Sequence, residues 1–151
     1  MGDFHSYEAV PAAAGAGKAS MDASERARWR RDALEKLRRL AALEPNWDSY
    51  GACPISGAVV MVVEDLLDVV ALPKAPEPAV VPTPEGGVQL EWHIRGLDLE
   101  VEVAPSATGT LLVSLDDEWA RETVDESLLP GAAMFYEILR RLVARSEMRE
   151  P

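Results

Sequence analysis

Between Val88 and Val103 apolar and polar residues alternate almost without a break. Val88, Leu90, Trp92 and Ile94 are separated by Gln89, Glu91 and His93, and Leu97, Leu99, Val101 and Val103 by Asp98, Glu100 and Glu102. A period of two is the mark of a strand with one buried and one wet face. The dipeptide Arg95-Gly96 between the runs predicts a β-hairpin. A two-residue turn pairs Ile94 with Leu97, His93 with Asp98, Trp92 with Leu99 and Glu91 with Glu100. Arg-Gly is a weaker turn signal than Asn-Gly, so a bulge that shifts this register by one stays open. After turn-forming residues from Pro105 to Gly109, a third strand is expected over Thr110 to Leu115, and a fourth over Glu118 to Val124.

Elsewhere the period is helical. Trp29, Ala33, Leu37, Leu40 and Ala41 recur at spacings of three and four. Asp22 followed by Glu25 resembles a capping box at the start of that segment, and Pro45 stops it. The run Val59 to Val63 is β-branched enough for a strand, but Leu66, Leu67 and Val70 extend its helical pattern, so a second helix is expected over Ser56 to Ala71. Pro73 ends it, and the Pro-rich stretch to Pro84 reads as a stiff, extended connector. A last helix begins near Pro130 with the stripe Met134, Phe135, Ile138, Leu139, Leu142 and Val143. The expected fold is α+β: two N-terminal helices, an antiparallel three- or four-stranded meander, and a C-terminal helix packed on one sheet face. Residues 1–21 are small, polar and without period, and are expected to form a disordered tail. Residues 22–146 make one domain and 147–151 a short C-terminal tail.

Composition narrows the setting. One cysteine, Cys53, permits no intrachain disulfide, and the longest apolar run, Ala58 to Val63, is far too short to cross a bilayer. The N-terminus lacks the basic and apolar regions of a signal peptide, so a cytoplasmic protein is expected. The net charge of −11 is concentrated in residues 45–129, where 3 Lys/Arg stand against 16 Asp/Glu. Such a body repels phosphate, which argues against direct nucleic-acid binding and for a basic protein partner or acid-to-base self-association. Arg26, Arg28, Arg30, Arg31, Arg38 and Arg39 are interrupted by acids and read as a solvated helix with local ion pairs.

Two segments stand out as motifs, Asn46-Trp47-Asp48-Ser49-Tyr50-Gly51-Ala52-Cys53-Pro54-Ile55 and Pro84-Glu85-Gly86-Gly87-Val88-Gln89-Leu90-Glu91-Trp92. Together they resemble a family of small bacterial proteins that share a helix, an N-W-D-x-Y-G-A loop, a second helix and a Gly-Gly turn entering an L-E-W strand. The resemblance covers roughly residues 35–104 and transfers no catalytic or binding residue. It implies at most an antitoxin-like or accessory component of a bacterial defence or regulatory operon.

The candidate sites are two. Trp47 and Tyr50 on the loop would anchor a partner if exposed; the competing expectation is that both fold back onto the core while Asn46 and Asp48 close side-chain-to-backbone turns. Glu91, Glu100, Glu102 and Asp98, with Gln89 and His93, share the wet sheet face. Like charges opposite one another cost stability, which suggests a basic partner, although water screening also accounts for them. His93 and Asp98 resemble an acid–base pair, yet the second histidine, His5, lies in the tail, and no nucleophile elbow, phosphate loop or dinucleotide fingerprint is present. Cys53 reads as a small buried apolar residue. The residues require no cofactor or metal, and a non-catalytic protein-binding module is the expected function. The alternatives are a metal-dependent hydrolase using the acidic face and a homo-oligomeric structural protein.

Overall fold

The computed structural model describes residues 27–105, 111–120, 122–127 and 132–148. The tail over 1–21, the capping box at Asp22 and Glu25, the end of the turn before Gly109, Pro130 and the side chain of Met134 lie outside the described residues. Two helices, α1 (Arg30–Ala41) and α2 (Gly57–Val70), precede strands β1 (Ala79–Pro82), β2 (Val88–Ile94), β3 (Leu97–Val103), β4 (Leu111–Asp117) and β5 (Glu122–Ser127), and helix α3 (Ala132–Glu147) follows them. The strands form one antiparallel sheet in the order β1-β2-β3-β4-β5. The α+β architecture is therefore the expected one, with a sheet of five strands instead of three or four.

The β2–β3 hairpin has the register that alternation predicts, with Ile94 opposite Leu97, His93 opposite Asp98, Trp92 opposite Leu99 and Glu91 opposite Glu100. Arg95 and Gly96 both take positive φ, at 49° and 77°, the pattern of a type I′ turn whose twist suits a two-residue hairpin. No bulge is needed there. A register shift falls instead between Val113 and Leu115, where β4 meets β5.

The extra strand is β1, which pairs Val80 with Leu90 and Pro82 with Val88. The segment read as a connector is indeed extended, but it is fastened down. The indole of Trp29 donates to the Ala75 carbonyl at 2.7 Å, and that of Trp92 to the Pro76 carbonyl at 3.0 Å. Proline is tolerated at this edge because an edge strand has one side without ladder bonds.

Inward residues of the sheet, Val80, Val88, Leu90, Trp92, Leu97, Leu99, Val101, Val103, Val113 and Leu115, form one core with both long helices behind them. From α2 come Val59, Val63, Leu66, Leu67 and Val70, and from α3 Phe135, Ile138, Leu139 and Leu142. Helix α1 adds Ala33 and Leu37. Ser56 caps α2, its hydroxyl accepting from the Val59 amide at 3.3 Å. The α1 arginines are not restricted to local pairs: Arg30 reaches across to Asp68 of α2. Among the described residues no helix is long and apolar enough to cross a membrane.

Candidate functional site

With the helices on one side, the other face of the sheet carries the side chains of opposite parity. Register sets them in rows across the strands. Gln89 lies beside Glu102 and Leu112, Glu91 beside Glu100 and Ser114, and His93 beside Asp98 and Asp116. The four acidic residues and the histidine expected on a shared face are thus brought together, and Asp116 joins them. Asp98, Asp116 and His93 are exposed, whereas Glu91, Glu100 and Glu102 are half-buried beside their neighbours. A shallow depression of about 120 Å³ runs between Gln89, Glu100, Glu102, Leu112 and Ser114. That volume suits one inserted side chain better than a small-molecule ligand, whose pockets usually span roughly 300–1,000 Å³.

His93 sits between two carboxylates. Its Nδ1 is 2.8 Å from Asp98 Oδ1, and its Nε2 is 3.6 Å from Glu91 Oε2. The hydrogen bond to Asp98 is the main cause that raises the imidazole above its usual pKa; partial burial opposes it, and Glu91 adds to it. Among the described residues, no group of three or more His, Cys, Asp or Glu is placed to hold a metal ion.

The loop of the first motif is built from its own side chains. Asn46 Oδ1 accepts from the Gly51 amide at 2.7 Å, and Asp48 Oδ1 accepts from the amides of Tyr50 at 2.8 Å and Ala52 at 3.0 Å. Those amides, Tyr50 first, hold the Asp48 carboxyl below its usual pKa. The expected side-chain turns are present. The expected packing of both aromatics onto the core is not: Tyr50 is 94 % exposed. Trp47 is half-buried and outside the core, its indole donating to the Cys53 carbonyl at 3.3 Å. The loop closes on itself through positive φ at Asn46, Ser49 and Gly51, so Tyr50 is turned outward between two of them. Cys53 is exposed rather than buried, while its neighbour Ala52 takes the inward position.

The two motifs meet. The Cys53 amide donates to the Pro84 carbonyl at 2.8 Å, and a Cβ on Gly86 would lie 2.9 Å from the Pro54 carbonyl oxygen. A Cβ on Gly87 would come within 2.7 Å of the Val103 carbonyl oxygen. The Gly-Gly turn is needed for close approach of backbones, which agrees with reading it as a turn and not a phosphate loop.

A second charged cluster was not anticipated. Asp117, 2 % exposed, lies on the inward side of β4 and forms an ion pair with Arg145 of α3, 7 % exposed. Arg145 also donates from Nη1 to the Arg95 carbonyl at 2.9 Å and lies 3.5 Å from the centroid of the Trp119 ring. Asp117 Oδ1 further accepts from the amides of Trp119 at 3.1 Å and Ala120 at 3.3 Å. Burial alone would raise the Asp117 carboxyl, but Arg145 and these two amides outweigh it and leave the pKa below the usual value. The signal was legible in parity: Asp117 continues the inward series Val113 and Leu115, and Arg145 continues the stripe Ile138 and Leu142.

Set beside models of known protein families, curated proteins and solved structures, the chain matches none of them.

Proposed function

We propose that this chain is a non-catalytic protein-binding module of the cytoplasm that takes a basic protein on the open face of its sheet. The observation that carries the reading is the pairing of like charges across strands, with Glu91 directly opposite Glu100. Directly opposed carboxylates disfavour strand pairing, and a cationic partner relieves that cost on docking. The charge balance of residues 45–129 gives this part of the chain the same sign as the face. Tyr50 and Trp47, on a loop held by its own hydrogen bonds, offer a separate aromatic contact, and Glu102 and Asp98 extend the acidic rows. The resemblance of the two motifs fits an antitoxin-like or accessory role in a bacterial operon.

Affinity chromatography on immobilised wild-type chain and on the Glu91→Lys/Glu100→Lys variant tests the reading. A basic protein retained by wild type, released by salt and lost on reversal is the expected result. Equal retention on both columns would contradict it and shift attention to Tyr50 and the exposed side of α1.

A further inference from the structure

His93 is the one side chain able to carry positive charge among the outward residues of β2, β3 and β4 described above. Both ring nitrogens face carboxylates, Nδ1 toward Asp98 at 2.8 Å and Nε2 toward Glu91 at 3.6 Å. A neutral imidazole has one N–H, so its other nitrogen would turn a lone pair toward a carboxylate; the imidazolium directs an N–H at each. Geometry therefore favours the charged ring while Asp98 and Glu91 remain its neighbours. Other charged groups near it are Glu100, diagonal to it on β3, Asp116 beyond Asp98 on β4, Arg95 in the turn, Glu118 beside Gly96 of that turn, and Glu77, two residues before the Ala79 that faces Glu91 from β1; the helices lie behind the sheet.

A guanidinium or ammonium group that docks on Glu91 and Asp98 takes over the acceptors that hold the imidazolium, and it adds a positive charge beside the ring. Both effects favour the neutral ring, whose proton leaves to solvent. We infer that docking of a basic partner on this face is coupled to release of a proton from His93, so the complex tightens as pH rises through the titration of that histidine. The inference rests on the docking reading above and adds its regulation: the face is partly occupied by its own cation in mildly acidic conditions and open to a partner's in mildly alkaline ones. Because a binding equilibrium and a proton equilibrium that share a group are linked, each unit by which docking lowers the His93 pKa appears as about a tenfold gain in affinity across the titration.

A hexa-arginine peptide serves as the probe, titrated calorimetrically at low salt into the full chain at about pH 6 and pH 8, the range over which histidine changes charge. Wild type is expected to bind about tenfold more tightly at the higher pH and to release part of a proton at neutral pH, seen as a binding heat that varies with the ionisation enthalpy of the buffer. His93→Gln is expected to bind with little change across the same range, and its unfolding midpoint at pH 8 should equal that of wild type. The His93 ring-proton titration, followed by NMR, should move to lower pH when the peptide is added. If wild type and His93→Gln respond to pH alike, the coupling is overturned while docking stands. If the Glu91→Lys/Glu100→Lys variant binds the peptide as wild type does at both pH values, docking on this face is overturned, and the coupling with it.

Discussion

Two carboxylate–cation pairs lie at the same end of the sheet, on opposite faces. Asp117 and Arg145 are on the inward face, 2 % and 7 % exposed, while Asp98 and His93 face outward with side chains 57 % exposed. Asp116 and Asp117 are adjacent residues, so one step along β4 separates a charge the fold encloses from a charge it displays. The inward aspartate is surrounded: Arg145, two backbone amides and, at 3.9 Å, Arg141. Taking a carboxylate out of water is expensive, so such a group persists only where donors replace the water, and removing one donor strands the rest. The outward pair incurs little of that cost and contributes correspondingly little to the fold. The lesson is that parity, not residue type, decides whether a charge is part of the architecture or open to a partner.

The contrast is broken most forcefully by a residue of the inward face. Trp92 fills the core and bonds to the Pro76 carbonyl, so Trp92→Ala is expected to cost about 3–5 kcal/mol in urea unfolding. A variant as stable as wild type would mean that the faces are assigned backwards. Smaller, but still resolvable, is Gly87→Ala. The added methyl meets a strand carbonyl oxygen at 2.7 Å and the Thr83 hydroxyl at 2.9 Å, which forces a backbone shift worth about 1–3 kcal/mol. Unchanged stability there would remove the close approach as the reason for the Gly-Gly turn.

The two pairs also sharpen the comparison through pH. Asp117 has its pKa lowered, so what it adds to stability is present above the ordinary carboxylate pKa and disappears as pH falls through the folded-state value. His93 has its pKa raised, so its contribution is complete below the ordinary histidine pKa and disappears as pH rises through the folded-state value. Solvent screens the exposed pair, so the alkaline change is the lesser of the two. Asp117→Asn should flatten the acid limb of a stability–pH profile, and His93→Gln should alter only the limb near neutrality. A profile in which His93→Gln changed the acid limb would contradict this division.

Much of this was legible in the sequence. Strict alternation over residues 88–103 marked both strands and their faces, and the register of a two-residue turn is the one observed, although the weak Arg-Gly signal left a bulge open in the sequence. The stripe of α3 and the long apolar pattern of α2 were equally plain. Strand β1 was not, since four residues, the last of them a proline, carry too little period to distinguish a strand from an extended connector; only the facing edge of β2 and two indole bonds make it one. The turned-out Tyr50 was hidden because positive φ at Asn46 and Ser49 comes from side-chain bonding within the loop, where glycine alone would have signalled it. The Asp117–Arg145 pair joins residues 28 apart in the chain, and only their apolar parity announces it.

The most direct test of the account replaces each aspartate in turn by its neutral isostere and compares urea unfolding of Asp117→Asn and Asp98→Asn at neutral pH. Asp117→Asn is expected to lose about 3–5 kcal/mol, the usual cost of breaking one side of a buried pair, while Asp98→Asn stays within about 0.5 kcal/mol of wild type, as exposed substitutions do. Equal losses would contradict the account, because the outward face would then be holding the fold together and would not be open to a partner.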